Sequence, residues 1–401
     1  MLPAHANSGA LVADQARQRP RLHVLTVTPF FPSAGDEVSG CFVAELLETL
    51  RNENVQSNVI AVGALHHPRK NAHVTKPAYW LRYPQIPGNV GLSSAGAFLF
   101  ERLKGKVRHL HRQQPIDLIH AHAALPCGHA AALLSKHFDI PFVVSVHGLD
   151  AFNTCFVEGR AVAWRHEASC KVYREAASVV CISEKVRRIV SEEMGGDVRT
   201  DLVYNGTDTE FFRPEPLTER QASTLLVVGN LLRGKGQELV LRAVEKLRPE
   251  HSSIRCVFIG EGHDRDYFSE VAKRLKITDC VNFVGRKSRS EVAAAMRSCT
   301  VFVLPCRYEA LGCVYLEAMA SGTPVIACRG QGIDEIIRHR TNGWLTGVED
   351  VDELVAGIST LLRDAELRAE IGREARRTIL DGLTLQHQAA QMRALYESVM
   401  A

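Results

Sequence analysis

The segment TVFVLPCRYEALGCVYLEAMASGTPVIACRG, residues 300–330, reads as a strand, a loop, a helix and a second strand. VFVLP is an apolar run without strict alternation, the pattern of a parallel strand buried on both faces. VYLEAMAS is a good helix, and Gly322 with Pro324 ends it. TPVIACRG then resumes the strand pattern. Strand, crossover helix and strand form the unit from which parallel sheets are built.

The same rhythm runs outward in both directions. LHVLTVT (22–28) precedes the helical pattern FVAELLETL (42–50), and SNVIAV, IDLIHAH, FVVSVHG and SVVCIS repeat the strand signal before LVYNG at 202–206. The pattern restarts at STLLVVGN (223–230) and continues through IRCVFIGEG and CVNFVG to the opening segment. This predicts an α/β protein made of two Rossmann-like, doubly wound halves. Length agrees, because 401 residues are too many for one core. The junction falls in NGTDTEFFRPEPLTERQAS (205–223), where Pro, Gly and polar residues cluster. The expected organisation is a disordered tail over 1–20, an amino-terminal domain over 21–205 and a carboxy-terminal domain over 206–383. A last helix, 384–401, is expected to pack back on the first domain. Proteins of this form bind ligands at the carboxyl ends of their strands.

Composition excludes several classes. A net charge of +3 gives no support to nucleic acid as the main partner. Eleven cysteines, an odd number without a CxxC pair, replace small apolar residues and read as reduced thiols of a cytosolic protein. No apolar stretch is long enough to span a membrane, and the amino terminus lacks a signal-peptide pattern.

The segment RYEALGCVYLEAMASGTPV (307–325) places two carboxylates, Glu309 and Glu317, among small and apolar residues. Glu309 falls in the strand-to-helix loop, and the amides of Leu311, Gly312 and Cys313 open the helix, a ready anion site. Helical rise puts Glu317 at most about 12 Å further along. A nucleotide sugar matches that span: one carboxylate for sugar hydroxyls, amides for the diphosphate, the other carboxylate for ribose. The plain alternative is a helix-dipole contact worth about 0.3–1 kcal/mol for Glu309 and a solvated face for Glu317. On the residues alone both readings stay open.

The segment resembles the E-x7-E signature of the retaining glycosyltransferases of family four, the group 1 type found among bacterial cell-envelope polysaccharide enzymes, whose fold is GT-B. GKGQELVLRAV (234–244), VYNGTDTEFFRP (203–214), IDLIHAHAALPCGHAAALL, VSVHGLDAF and GQGIDEII (330–337) are similar to further family segments in the family's order, over about residues 22–400. The resemblance implies sugar transfer from a nucleoside diphosphate sugar, most simply a UDP-sugar, to a glycan or lipid-linked acceptor. It implies no cofactor and no metal. Lys235 would grip the diphosphate with the amides of Ala310, Leu311, Gly312 and Cys313. Glu309 would orient the donor sugar and Glu317 the ribose. His147 would sit beside sugar and acceptor, His120, His122 and Asp150 on the acceptor side, and Gly40 would let backbone approach the reacting centre. Same-face attack is implied, so no covalent nucleophile is named. One departure stands out: where the family commonly has arginine before the lysine, this chain has Asn230, and Arg233 is the nearest substitute.

Other motifs read more plainly. His120, His122 and His129 have metal-ligand spacing, but no Cys/Asp set completes it. DVD (350–352) reads as a helix start capped by Asp350 or Asp352 rather than a metal motif. Gly260 and Gly262 read as turn glycines, since a full GxGxxG is absent. FERLKGKVRHLHRQ (100–113) is a basic helical segment, either a solvated face or a surface for weak peripheral contact with an anionic membrane at the inner face of the cytoplasmic membrane. Two rivals to a transferase are a nucleotide-sugar 2-epimerase and a non-catalytic nucleotide-sugar sensor.

Overall fold

The computed structural model describes residues 21–33, 36–65, 78–84, 91–148, 160–215 and 223–401. The segment expected as a tail, 1–20, and Asp150 lie outside the described residues. The chain divides into two compact units. One comprises the chain up to Cys181, Arg187–Val203 and Gln388–Ala401; the other comprises Ile182–Val186 and Tyr204–His387.

The first unit contains β1 (Leu22–Thr28), α1 (Cys41–Asn52), β2 (Val55–Ala64), β3 (Ala78–Tyr83), α2 (Leu92–Gln113), β4 (Leu118–His122), α3 (His129–Phe138), β5 (Phe142–Val146), α4 (Arg160–Glu175), β6 (Ser178–Cys181), most of α5 (Glu184–Glu193) and β7 (Thr200–Leu202). Its strands pair in parallel in the order β3-β2-β1-β4-β5-β6-β7. Every residue of β1 is buried, as an apolar run covered on both faces requires. Helix α1 buries Val43, Leu46, Leu47 and Leu50, an i, i+3, i+4, i+7 stripe. Each such side chain contributes about 1.5–3 kcal/mol on burial.

The second unit contains β8 (Thr224–Val228), α6 (Gln237–Leu247), β9 (Arg255–Ile259), α7 (Arg265–Arg274), β10 (Val281–Phe283), α8 (Arg289–Ser298), β11 (Val301–Val303), α9 (Cys313–Ala320), β12 (Val325–Cys328), β13 (Trp344–Thr346), α10 (Val351–Arg363) and α11 (Ala365–Gly382). The parallel order is β10-β9-β8-β11-β12-β13. In both sheets the winding direction reverses once, between β1 and β4 in the first and between β8 and β11 in the second. Those are the switch points at which open α/β sheets hold ligands. The closing helix α12 (Leu385–Met400) contributes Ala389, Met392, Leu395 and Tyr396 to the first unit's core, beside Val24, Leu118 and Val143.

Strand β7 stops at Leu202, and at LVYNG the chain passes from one unit to the other, leaving the first at Val203 and joining the second at Tyr204. Tyr204 and Asn205 instead use side chains, on Glu335 at 3.0 Å and on Cys313 Sγ at 3.3 Å. Helix α2 packs Leu99 and Leu103 into the core and leaves Phe98 exposed. Asp350 caps α10 by accepting the Glu353 amide at 2.8 Å, as the helix-start reading expects.

Candidate active site

The second unit's switch point brings two loops together. After β8 the chain runs Gly229–Asn230 into a 3₁₀ turn, Arg233–Lys235, and then α6. After β11 it runs Leu304–Gly312 into α9. Lys235 Nζ donates to Glu309 Oε2 at 2.7 Å across 74 residues of sequence. The pair is mostly enclosed, with the Glu309 side chain 15% exposed. Burial alone would lower the Lys235 pKa, but Glu309, and Cys306 behind it, raise it above the ordinary lysine value. Burial pushes the Cys306 thiol up to about 12, so it stays protonated, with its Sγ 3.8 Å from Glu309 Oε2.

Gly312 opens α9 with φ +82°, a backbone state that costs glycine little. A Cβ there would lie 2.6 Å from the Tyr315 ring. The Tyr315 hydroxyl donates to the Leu304 carbonyl, which ties the helix to the end of β11. No side chain caps α9, so its first turn presents Leu311, Gly312 and Cys313 as an amide-rich, partly positive end. Glu317 lies one turn along, 3.8 Å from the Arg289 guanidinium, and both side chains are mostly buried. Arg289 in turn stacks over Phe211 and Phe212, with ring centroids 5.3 and 5.1 Å away. Glu317 is therefore not a solvated face.

Arg233 does not join this pair. Its guanidinium stacks 3.9 Å over the Tyr267 ring and lies 3.5 Å from Asp264, with its side chain 66% exposed. It lines a neighbouring recess with Glu238, Arg242, Arg307 and Glu349. Here an aromatic face and a carboxylate hold the residue expected to be the nearest substitute for the missing arginine. Asn230 is exposed and uses its carbonyl to accept the Gln237 side chain at 2.8 Å.

In the first unit, the ends of β4 and β5 carry a stack of histidines. His122 and His147 are hydrogen-bonded ring to ring at 2.9 Å, with planes 8° apart. His120 is bonded to the Tyr396 hydroxyl and to the Ser145 hydroxyl, each at 2.7 Å. Burial lowers His147 to about 4 and His120 to about 3, and lowers His122 well below the usual value. All three rings are neutral at physiological pH. His120 and His122 are 0% and 2% exposed, so the expectation that they line an acceptor surface is corrected. They sit beneath His147, which is partly exposed and edged by Phe30 and Phe42. Gly40 opens α1, and a Cβ there would lie 2.3 Å from the Phe30–Phe31 backbone, so the chain itself already requires glycine.

Sequence reasoning did not single out Gln331, Lys185, Arg289 or Cys306. GQGIDEII carried a signal, but no role for its side chains. Glu335 of that motif accepts the amides of Glu184 and Lys185 at 2.8 and 2.6 Å, capping the first turn of α5. Among the described residues, no group of three or more His, Cys, Asp or Glu side chains is arranged to hold a metal.

Two family models match, end to end. "Glycosyltransferase Family 4" matches residues 40–211 and "Glycosyl transferases group 1" matches 208–378. A glycogen synthase of Mycobacterium tuberculosis is 28% identical over 285 residues, 69% of this chain and 68% of its own length. Among solved structures, sucrose-phosphate synthase from Thermosynechococcus elongatus superposes with a TM-score of 0.78 at 21% identity, covering 94% of this chain and 99% of that one. HepE from Anabaena, solved in complex with UDP-glucose, superposes with 0.73 at 18% identity, covering 94% and 100%. The fold shared with these neighbours is GT-B, two parallel-sheet α/β domains in one chain. With both halves of its sequence matched in order, the chain belongs to the group 1, family 4 glycosyltransferases.

Proposed function

We propose that the protein transfers a hexose from a nucleoside diphosphate sugar, a UDP-sugar, to a glycan or lipid-linked acceptor, with retention of configuration and without a metal ion, in cell-envelope or exopolysaccharide synthesis. The observation that carries this is the Lys235–Glu309 pair at the switch point, beside the uncapped start of α9. A diphosphate placed there would meet one fixed cation and a helix N-terminus, which together supply the charge that a metal supplies elsewhere. The neighbour solved with UDP-glucose supports a uridine nucleotide. None of the ten described cysteines is in a disulfide, which is in keeping with a cytosolic setting.

In this reading Lys235 leaves Glu309 for the diphosphate when donor binds. Glu309 is then free to accept hydrogen bonds from sugar hydroxyls, and Glu317 from the ribose. As the sugar–phosphate C–O bond breaks, the acceptor oxygen attacks on the same face. Its proton passes to the departing phosphate oxygen, whose charge Lys235 and the α9 amides stabilise.

The test begins with thermal stabilisation by UDP, UDP-glucose and GDP-mannose, because a ligand that binds the native state raises its stability by mass action. Release of nucleoside diphosphate is then followed with and without a polysaccharide or lipid-linked acceptor panel. Stabilisation by one nucleotide family and acceptor-dependent release are expected. Accumulation of an isomeric nucleotide sugar without release would establish an epimerase instead. Binding without either outcome would leave a sensor.

A further inference from the structure

Glu309 stands on a loop without regular structure, so something else must fix the height and tilt of its peptide. The Arg329–Gly332 loop that follows β12 does this. Gln331 Oε1 accepts the Glu309 amide at 2.9 Å, and the Gly332 amide donates to the Glu309 carbonyl at 3.0 Å. Both backbone polar groups of Glu309 are thus tied to two successive residues of one neighbouring loop. The loops touch so closely that a Cβ on Gly332 would lie 1.6 Å from the Ala310 carbonyl oxygen. Gln331 is only 7% exposed. Its Oε1 also accepts from Lys185 Nζ at 2.6 Å, and that ammonium donates to the Gly330 carbonyl at 2.9 Å and sits over the Tyr308 ring. Both neighbours of this amide atom are donors, an N–H and an ammonium, which identifies it as oxygen.

We propose that Gln331 is the positioning residue of the donor-sugar carboxylate: its amide oxygen, locked by Lys185, holds the Glu309 peptide so that the carboxylate reaches Lys235 and the sugar. The proposal rests on the reading of Glu309 given above and adds how that group is placed. A positioning role separates from a merely structural one in the kinetics. Misplacing Glu309 lowers turnover, whereas UDP, which touches the α9 amides, Lys235 and Glu317, keeps its affinity. Geometric errors of about 1 Å near a reacting centre can cost about 10²-fold in rate.

The experiment uses the full chain and the Gln331→Ala, Gln331→Glu, Lys185→Met and Glu309→Gln variants. UDP affinity is measured by calorimetry, and kcat and KM by diphosphate release from UDP-glucose or GDP-mannose, whichever stabilises the wild-type protein more. Melting curves report folding. Gln331→Ala is expected to lower kcat by about 10–100-fold while UDP affinity changes less than about twofold. Gln331→Glu keeps an acceptor for both donors and is expected to recover most of the rate, and Lys185→Met to fall between. A folded Gln331→Ala protein with wild-type kcat, beside an inactive Glu309→Gln protein, overturns this inference alone. Parallel loss of UDP affinity and turnover also overturns it, since the defect would then be structural. Wild-type turnover in Glu309→Gln, or no release from either donor by the wild type, removes the reading of Glu309 itself. If Gln331→Ala does not fold, Gln331→Glu and Lys185→Met decide: an inactive Glu variant or a fully active Met variant overturns the proposal.

Discussion

Lys235 and Glu309 form an ion pair 2.7 Å long between loops that follow β8 and β11, the two strands flanking the point where the second sheet reverses its winding. Neither side chain is fully in water, and Glu309 favours the charged form of Lys235 in this partly enclosed site. A charged phosphate can therefore replace Glu309 as the lysine's partner without leaving a buried cation unpaired.

Lys235→Ala is expected to lower kcat/KM by about 10²–10³, the scale of losing one donor to a developing oxyanion. Asn230→Arg is expected to retain activity, because Asn230 is exposed and binds Gln237 through its backbone carbonyl alone. Steady-state diphosphate release checks both. A Lys235→Ala enzyme within threefold of wild type would refute the assignment.

Glu317→Ala is expected to weaken UDP binding by roughly 1.5–3 kcal/mol, the range for hydrogen bonds to a charged group. It also leaves the mostly buried Arg289 without this carboxylate, so a lower melting temperature should accompany it. Glu309→Ala should leave UDP binding nearly intact and reduce transfer. Calorimetry showing both variants binding UDP like wild type would remove Glu317 from the ribose.

The histidine stack predicts acid lability. His120 and His147 titrate at about 3 and about 4 in the folded protein, against about 6.5 unfolded. Their folded values are lowered, so the unfolded chain takes up protons first as pH falls. Stability is therefore complete above pH 6.5 and lost between there and the folded values, on the order of 1.4 kcal/mol per pH unit for each group. Melting of wild type and His120→Gln between pH 7.5 and 4.5 tests this: the variant should be less stable at neutral pH but show a shallower fall. Parallel curves would count against it.

Helix α2 presents Arg102, Arg108 and Arg112 to solvent, while Lys104 pairs with Glu101 at 2.5 Å and Lys106 lies over the Tyr79 ring. With Leu99 and Leu103 buried and Phe98 the exposed apolar side chain near these arginines, membrane contact by this face is expected to be mainly electrostatic. At about 1 kcal/mol for each exposed charge near an anionic surface, binding should be weak and fade as salt shortens the Debye length. The expected result is partial sedimentation with anionic vesicles at low salt and none at 1 M or with neutral vesicles. Arg102→Glu, Arg108→Glu and Arg112→Glu together should abolish it. Equal recovery in the supernatant under all conditions would leave α2 an ordinary solvated helix.

Sequence by itself determined what repeats locally. The apolar runs at 22–28 and 301–303 are strands because a parallel strand covered on both faces has no polar face to alternate with. Glu309 falls on a loop and Glu317 on α9 because Gly312, with the helical run after it, starts that helix. Strand β3, AYWLRY at 78–83, was missed, since six aromatic and mixed residues at a sheet edge carry a weak signal. Tertiary structure alone decided the strand order, and with it the meeting of Lys235 and Glu309 across 74 residues. It also decided that His120 and His122 lie under a neighbour, that Arg233 turns to Tyr267, and that Gln331 holds the Glu309 peptide. The physical reason is one of range. Periodicity and caps report the few residues around them, whereas the partner of a buried polar group is whichever donor the folded topology carries to within about 3 Å.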